Sequence, residues 1–336
     1  MAARPRALLT AFGDLAQQVY PGQVRAELET FTEVRENDLN RTFTEPELVE
    51  RIGEVEACLT TWGAPQFTAE VLAAAPRLKI IAHAAGTVKP FVSPVAFARG
   101  VIVTNAAGVI ARYVGEMALL LSLACLRDLP RYDRALKEEN AWRVPEAGPS
   151  DTLRGKRVGL IGFGATGREF ANLLPPFGVE LLCCDPVVTP AVMAEYGARP
   201  AALEEVLRTC DVISLHAASL PSTRNLLNAG RLAMIRDGAV LVNTARGALI
   251  EMEALVKELR KGRFRAALDV FDPEEPLPPD HPLRGMPNVI LTPHVSGPVP
   301  TRYWEMGRHA VENVRTVLSG GVPAGAITAA QFETMA

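Results

Sequence analysis

The 336-residue chain has no excess of either charge, few aromatic residues and no long apolar run. Its 35 basic and 38 acidic side chains leave a net charge of −3 and are scattered without clusters, and aromatic residues make up 6%. A balance of this kind gives no electrostatic footprint for nucleic acid or for an anionic membrane surface. We therefore expect a small-molecule partner, with no nucleic acid and no membrane bound.

Cysteine is also scarce, and its five positions are odd in number and lack metal-ligand spacing: Cys58, Cys125, Cys183, Cys184 and Cys210. This pattern favours reduced, buried thiols over disulfides or a metal site. The N-terminal stretch MAARPRALLTAF has too short an apolar run for a signal peptide, and the apolar run at 114–126 is too short to span a bilayer. We expect a cytoplasmic protein that binds no metal.

The length of the chain and its 48% apolar composition predict two domains. Short apolar or β-branched runs alternate with helix-length segments over the first hundred residues, and a capping box at Thr44 predicts a helix start. The same alternation restarts at residue 157 with six further strand-like runs. This rhythm is typical of parallel strands joined by crossover helices, so the predicted class is α/β with two doubly wound parallel sheets.

The stretch VGLIGFGATGREF, which begins at Val158, places three glycines between an apolar strand and a helix. In such a turn Gly162 permits the sharp bend, Gly164 lets the backbone approach a pyrophosphate, and Gly167 lets the helix pack on the strand. Asp185 ends the next strand about 20 residues further on, where a carboxylate can bind the ribose diol and repel a 2′-phosphate. The sequence therefore predicts a dinucleotide site that favours NAD over NADP.

Three polar side chains follow later strands of the same half, where open α/β sheets bind ligands. Arg246 follows the strand AVLVNTA, and its planar guanidinium suits a carboxylate. His294 follows NVILTP and can transfer a proton near neutral pH. Glu275 can orient that imidazole. Taken one at a time, the three residues have structural alternatives: an ion pair for Arg246, a structural histidine for His294 and an exposed loop glutamate for Glu275.

Taken together, these segments resemble the D-isomer-specific 2-hydroxyacid dehydrogenases. The resemblance rests on LRGKRVGLIGFGATGRE, DVISLHAASLPSTRNLLN, LVNTARGALI, ALDVFDPEEPLP and NVILTPHVSG, covers residues 153–320 and is looser before them. It implies a Rossmann NAD domain, at 103–298, inserted into a flavodoxin-like substrate domain at 1–102 and 299–336. It also implies NAD-dependent hydride transfer between C2 of a D-2-hydroxy acid and its 2-oxo acid, in a homodimer whose core is the apolar helix at 111–129.

The resemblance further implies roles for individual residues. Arg246 binds the substrate carboxylate and carbonyl, His294 is the acid and base, and Glu275 pairs with it, although counting from Asp269 favours Glu274 instead. Cofactor contacts are implied for Gly162, Gly164, Ala165, Thr166, Gly167, Asp185, His216, Thr223, Thr244, Ala245, Asp269 near the nicotinamide, and Gly297. Substrate contacts are expected from Trp62 and from the backbone of Ala85, Gly86 and Thr87.

The first domain departs from the family pattern. Many members have R-A-G-x-G-V-D-N where this chain reads HAAGTVKP, with His83 in place of an arginine and Lys89 in place of an acid. An unusual substrate is therefore expected. Two other interpretations stay open: an NAD-responsive corepressor with little turnover, and a formate dehydrogenase, although those enzymes place glutamine where Glu275 stands.

Overall fold

The structure is a computed structural model that describes residues 4–142, 150–273 and 275–335. The chain divides into two compact units. The first comprises the residues up to Ile110 together with those from Pro298 onward, and the second comprises Ala111–Gly297. The domain boundaries expected from the sequence, after residues 102 and 298, stay a prediction.

The first unit begins with five strands and their connecting helices. In chain order these are β1 (Arg6–Leu9), α1 (Gly13–Val19), α2 (Gly22–Glu29), β2 (Glu33–Glu36), α3 (Glu45–Ile52), β3 (Ala57–Thr60), α4 (Ala69–Ala73), β4 (Ile80–His83), α5 (Val95–Ala98) and β5 (Ile102–Thr104). Helix α6 (Ala107–Arg127) follows and continues into the second unit.

The second unit contains seven strands within the described residues. Its elements are α7 (Leu129–Lys137), β6 (Arg157–Ile161), α8 (Ala165–Asn172), β7 (Glu180–Cys184), α9 (Pro190–Glu195), β8 (Ala198–Pro200), α10 (Leu203–Thr209), β9 (Val212–Leu215), α11 (Ala229–Leu232), β10 (Val240–Asn243), α12 (Met252–Leu259), β11 (Arg265–Leu268) and β12 (Val289–Leu291). The chain then returns to the first unit with α13 (Tyr303–Leu318), β13 (Ala326–Ile327) and α14 (Ala329–Thr334).

The strand orders confirm the predicted fold class. The first sheet runs β13-β5-β4-β3-β1-β2, and all its pairs are parallel except β13 with β5. Without β13 this is the flavodoxin-like order 2-1-3-4-5. The second sheet runs β12-β11-β10-β9-β6-β7-β8 and is wholly parallel. Counted from β6, this is the dinucleotide-binding order 3-2-1-4-5-6 with one further strand at the β12 edge.

The central strands are buried along their whole length. Every residue of β3, β4, β9 and β10 is buried, as expected for parallel strands that are covered by helices on both faces. This burial explains why the strands appear in the sequence as continuous apolar runs. The predicted capping box is also present at the start of α3, where Thr44 and Glu47 bond reciprocally.

The sequence missed the short elements at the sheet edges. Strand β8 has three residues, Ala-Arg-Pro, and only the first of them is buried. Strand β13 has two residues and pairs antiparallel at the other sheet's edge. Neither is long enough to show a hydrophobic period. Residues 138–151, whose proline, glycine and charged side chains are typical of a loop, lie partly outside the described residues.

Helix α6 packs inside the second unit along one face. It is long and apolar enough to cross a membrane by length and composition, a test that core helices of soluble proteins also pass. A Cβ on Gly115 would lie 2.9 Å from the amide nitrogen of Phe170, so a glycine is needed where α6 meets α8. The helix ends earlier than residue 129, because Asp128 adopts a left-handed conformation with φ 52° between α6 and α7.

The buried histidine at the end of β4 makes the stability of the fold depend on pH. His83 is 2% exposed, and burial lowers the pKa of its imidazole to about 3. The unfolded chain binds a proton at this residue below about pH 6.5, whereas the folded chain does not until the pH approaches the folded pKa. Stability is therefore lost as the pH falls from neutrality.

We predict that protonation of His83 in the unfolded chain lowers the free energy of unfolding by about 2 kcal/mol when the pH falls from 7 to 5. Urea unfolding of the parent chain and of His83→Gln at both pH values measures this term, because carboxylate titrations are common to both proteins. The stability difference between the two proteins should shrink by that amount at pH 5. A difference that does not change with pH would contradict the prediction.

Candidate active site

The residues that the sequence singled out in the second unit lie at the carboxyl ends of strands. Because these strands are parallel, their carboxyl ends meet at one edge of the sheet. In sheet order from the β7 side these are Asp185 after β7, Gly162, Gly164, Ala165, Thr166 and Gly167 after β6, His216 and Thr223 after β9, Thr244, Ala245 and Arg246 after β10, Asp269 and Glu275 after β11, and His294 and Gly297 after β12.

The three glycines of the turn after β6 meet different constraints. Gly162 has φ 93°, and a Cβ there would lie 2.5 Å from the amide nitrogen of Ala217. A Cβ on Gly167 would lie 2.6 Å from the carbonyl oxygen of Gly162, so helix α8 approaches the turn closely. A Cβ on Gly164 would meet nothing within 4 Å. The first and third glycines are thus required by packing, and the second leaves an open backbone surface.

This open surface fits a pyrophosphate. Gly164 is the N-cap of α8 and has no side chain to satisfy the first amides of the helix, and Gly164 and Ala165 are both exposed. Free amides and the positive end of the helix dipole bind phosphate groups well. The residues present at this turn therefore fit the phosphates of a dinucleotide.

The carboxylate of Asp185 holds the turn in place. Its Oδ2 accepts a hydrogen bond from the amide of Phe163 at 2.7 Å. Its Oδ1 accepts from the amides of Val187 at 2.8 Å and Val188 at 2.9 Å. A carboxylate offers about four acceptor positions, so one remains for a ribose hydroxyl. Asp185 therefore accepts three backbone hydrogen bonds and keeps one acceptor position for the ligand that this loop would hold.

The remaining residues of the predicted cofactor set differ in whether their polar atoms already have hydrogen-bond partners. Both ring nitrogens of His216 and the hydroxyl of Thr244 are buried without a hydrogen-bond partner among the described residues. Burial lowers the pKa of His216 to about 3, so its neutral ring offers one donor and one acceptor. The hydroxyl of Thr223 instead accepts from the amide of Leu220 at 2.8 Å and donates to the carbonyl of Ala218 at 2.6 Å. His216 and Thr244 are thus free for a ligand, whereas Thr223 shapes its own loop.

The structure brings His294 and Glu275 into contact. Nδ1 of His294 lies 2.7 Å from Oε2 of Glu275, and Oε1 of Glu275 accepts from the amide of Phe271 at 2.8 Å. An ionised carboxylate can only accept, so Nδ1 carries a proton and Nε2 is left for a substrate. A cavity of about 480 Å³ adjoins the pair. Glu274, the alternative partner, lies outside the described residues.

Asp269 organises the loop that carries His294. The side chain is fully buried, and its oxygens accept from the hydroxyl of Thr292 and from the amides of Val295 at 3.0 Å and Ser296 at 2.9 Å. Its carbonyl oxygen accepts from the amide of His294 at 2.9 Å. His294 itself has φ 54°, a left-handed conformation that is uncommon for a side chain of this size. The four hydrogen bonds that Asp269 accepts hold this conformation.

Arg246 is positioned by a residue that the sequence analysis missed. The amide group of Asn243, at the end of β10, donates to the carbonyl of Arg246 at 2.9 Å and accepts from the amide of Ala245 at 3.1 Å. The guanidinium is exposed and donates to the carbonyl of Ala245 at 2.7 Å. The next residue must be glycine, because a Cβ on Gly247 would collide with the backbone of Phe271. A buried asparagine at the end of an apolar strand was the signal that could have identified Asn243.

The predicted substrate residues form a separate group in the first unit. Trp62 follows β3 and is 42% exposed, while Ala85, Gly86 and Thr87 follow the neighbouring strand β4. Ala85 is buried and its carbonyl oxygen accepts from the amide of Ala106, whereas Gly86 and Thr87 are half-buried. His83, which stands where many family members have arginine, is the last residue of β4.

The glycine turn, the acid on the second strand and the histidine–carboxylate pair define a dinucleotide-binding α/β protein equipped for proton transfer. The chain belongs to the D-isomer-specific 2-hydroxyacid dehydrogenase family, since the model of that family's NAD-binding domain matches residues 119–296. The predicted resemblance is thereby confirmed, and NAD is the cofactor that this domain binds.

Individual relatives cover most of the chain. A glyoxylate reductase of Aeropyrum pernix is 35% identical over 260 residues, which are 76% of this chain and 77% of that protein. A D-3-phosphoglycerate dehydrogenase of Mycobacterium bovis is 36% identical over 274 residues, or 81% of this chain, but the match spans only 51% of that longer protein. The crystal structure of a phosphoglycerate oxidoreductase from Rhizobium etli superposes with a TM-score of 0.82 at 28% identity, covering 96% of this chain and 98% of that one.

We predict that Asp185→Ala weakens NADH binding without creating a site for NADPH. The substitution removes the charge that disfavours a 2′-phosphate, but it also removes the acceptor of the Phe163 amide in the glycine turn and of the Val187 and Val188 amides in the loop after Asp185. Bonds to a charged group are each worth about 1.5–3 kcal/mol, so the Kd for NADH should rise at least about tenfold. NADH and NADPH fluorescence titrations measure this, and tight NADPH binding by the variant would show that the carboxylate acts on specificity alone.

We predict that Asp269→Asn lowers kcat more than it weakens NADH binding. The amide nitrogen of asparagine cannot accept from the backbone, so the loop around His294 loses an anchor. A shift of about 1 Å at a catalytic group costs about a hundredfold in rate, so kcat should fall by about 10- to 100-fold. Steady-state kinetics and a fluorescence titration of NADH separate the two effects. A larger change in the Kd than in kcat would instead support a direct contact between Asp269 and the nicotinamide.

Proposed function

We propose that this protein catalyses the reversible reduction of a 2-oxo acid to a D-2-hydroxy acid at the expense of NADH. The observation that carries the proposal is the contact between His294 and Glu275 at the sheet edge that also carries the dinucleotide turn. When bound, NADH supplies the hydride that reaches C2 of the substrate, and NAD⁺ accepts it in the reverse direction. Relatives that are named as glyoxylate reductases and D-3-phosphoglycerate dehydrogenases support the same reaction type.

His294 moves the proton in this proposal. In reduction, Nε2 of the imidazolium donates its proton to the oxygen on C2, and the ring remains neutral with its other proton on Nδ1. Glu275 accepts from Nδ1 throughout, so it holds the ring orientation and stabilises the cation. In oxidation the neutral Nε2 removes the proton from the C2 hydroxyl. A histidine positioned in this way contributes about 10²–10⁴-fold to the rate.

Arg246 binds the carboxylate of the substrate. Its exposed guanidinium follows the carboxyl end of β10, the strand that ends in Asn243. The planar guanidinium can hold the carboxylate and the adjacent carbonyl oxygen together. In the first unit, the backbone of residues 85–87 and the side chain of Trp62 are the proposed substrate contacts. The dinucleotide phosphates bind at Gly164, Ala165 and Thr166, and His216, Thr244, Ala245 and Gly297 line the cofactor beyond them.

The proposal includes a homodimer in the cytoplasm that acts on small molecules rather than on nucleic acid or membranes. Helices α6 and α7 expose large apolar side chains at Leu120, Leu129 and Leu136, which are 55%, 57% and 54% exposed. A second copy of the chain related by a two-fold axis would cover this surface in a self-complementary way.

We predict that His294→Ala lowers kcat/KM for the reduction of glyoxylate by about 10²–10⁴-fold. Glu275→Gln keeps the shape of the side chain but removes its charge, so we expect a loss of about 10- to 100-fold in kcat. Arg246→Ala removes the carboxylate ligand and should act mainly on KM. NADH oxidation followed by absorbance, with purified protein and glyoxylate as the smallest substrate, measures all three effects.

NADH binding by fluorescence is the control for these variants, because none of the three residues belongs to the phosphate turn. Binding of NADH without reduction of any 2-oxo acid by the parent chain would overturn the dehydrogenase proposal and support an NAD-responsive sensor. Full activity in His294→Ala would rule out His294 as the proton donor but would not contradict the proposed reaction.

A further inference from the structure

We infer that Arg224 and Arg284 are positioning residues that hold the loop carrying Glu275, so that its carboxylate stays on His294. The inference rests on the proposed function and deepens it, because it adds two residues to the proton-transferring pair. It is carried by contacts within the second unit, where an ion pair on one side of Glu275 and two backbone hydrogen bonds on the other bracket this residue.

The loop after β11 borders a cavity and receives no packing from that side. The cavity of about 480 Å³ is lined by Phe271, Glu275 and Leu277 of this loop, among other residues. The side chain of Glu275 is 36% exposed. A glutamate beside open space has several accessible rotamers, so ordering it on one partner costs conformational entropy. Its contact with His294 therefore depends on how firmly the backbone on both sides of Glu275 is held.

Arg224 holds the loop on the β11 side of Glu275. Its Nη2 donates to Oδ2 of Asp272 at 2.9 Å. Asp272 directly follows Phe271, whose amide donates to Oε1 of Glu275 at 2.8 Å. The residue after Arg224 is fixed in turn, because its amide donates to the carbonyl of Ala248 at 2.8 Å. Arg224 thus connects the backbone partner of Glu275 to a neighbouring segment that is itself hydrogen-bonded.

Arg284 holds the loop on the other side of Glu275. Its Nε donates to the carbonyl of Pro278 at 2.7 Å, and its Nη2 donates to the carbonyl of Leu277. The planar guanidinium holds two successive carbonyls at a fixed spacing, which the single ammonium of a lysine does not reproduce. Arg284 lies in the short helical turn Pro282–Gly285, shortly before the strand β12 that leads to the histidine of the pair. The same residue therefore connects the loop of the carboxylate to the segment that leads to the imidazole.

Both arginines are exposed, and exposed ion pairs add little to the free energy of unfolding. Their substitution should therefore change the position of Glu275 without unfolding the protein. A shift of about 1 Å at a catalytic group costs about a hundredfold in rate, so the loss of one of two anchors should lower kcat about 3- to 10-fold.

The test measures kcat for glyoxylate reduction in Arg224→Ala, Asp272→Ala and Arg284→Ala, with the full chain and NADH. Each variant should show the expected loss, and in Asp272→Ala and Arg284→Ala the Kd for NADH should change by less than about twofold, because these residues lie outside the glycine turn. The double variant Arg224→Ala/Asp272→Ala should be no slower than the slower single variant, since the two residues act as one pair.

The matched control is Arg157→Ala. It breaks an exposed ion pair of 2.8 Å with Glu180, which joins the first residues of β6 and β7 at the opposite edge of the same sheet. Its kcat should stay within about twofold of that of the parent chain. A loss equal to that in Arg224→Ala would show that breaking any exposed ion pair has this effect, and would overturn the inference.

A Glu275→Ala background separates positioning of Glu275 from a general structural effect. There, Arg224→Ala and Arg284→Ala should lower kcat by less than about twofold, because the group that they position is absent. In the parent background Arg224→Lys should restore most of kcat because it keeps the charge, whereas Arg284→Lys should not, because the planar fork is lost.

Unchanged kcat in the single variants would overturn the inference, as would an equal loss with and without Glu275. Failure of the parent chain to reduce any 2-oxo acid would be a different result, because it would remove the proposed function itself and the inference with it.

Discussion

The buried carboxylate of Asp269 is the constraint on which the geometry of the site depends. His294 adopts φ 54°, and the four hydrogen bonds that Asp269 accepts from Thr292, His294, Val295 and Ser296 hold the chain on both sides of that residue. Strain of this kind persists only where the surroundings over-determine the conformation. Glu275 contacts His294 in this conformation, so a third, buried residue supports the loop on which the pair depends. Asp269 thus acts on the chemistry without having to touch the substrate.

The sequence predicted the elements that are long, buried or bounded by glycine. Strands such as β9 and β10 are buried throughout, so they appear as uninterrupted apolar runs, and the steric role of Gly162 is visible from its spacing alone. Short edge elements such as β8 show no period and were missed. The same reasoning explains the site: side chains at strand ends were predicted because parallel strands share one edge. Asn243 also ends an apolar strand but was missed, because its role lies in two hydrogen bonds within the following turn.

Resemblance identified which residues belong to the site but not what each one contacts. Thr223 and Asp269 both belong to motifs that imply cofactor contacts, yet the hydroxyl of Thr223 bonds within its own loop and the carboxylate of Asp269 bonds to the loop that carries His294. Asp185 combines the two roles, because its three amide bonds still leave one acceptor position. Such assignments depend on counting donors and acceptors, which requires coordinates.

The two units provide evidence on different parts of the reaction. The family match ends at residue 296 and begins at residue 119, so it covers the unit that holds the cofactor and the proton-transferring pair, and the loops after β1, β3 and β4 lie outside it. Relatives whose names specify phosphoglycerate or glyoxylate therefore share the reaction type more securely than the substrate.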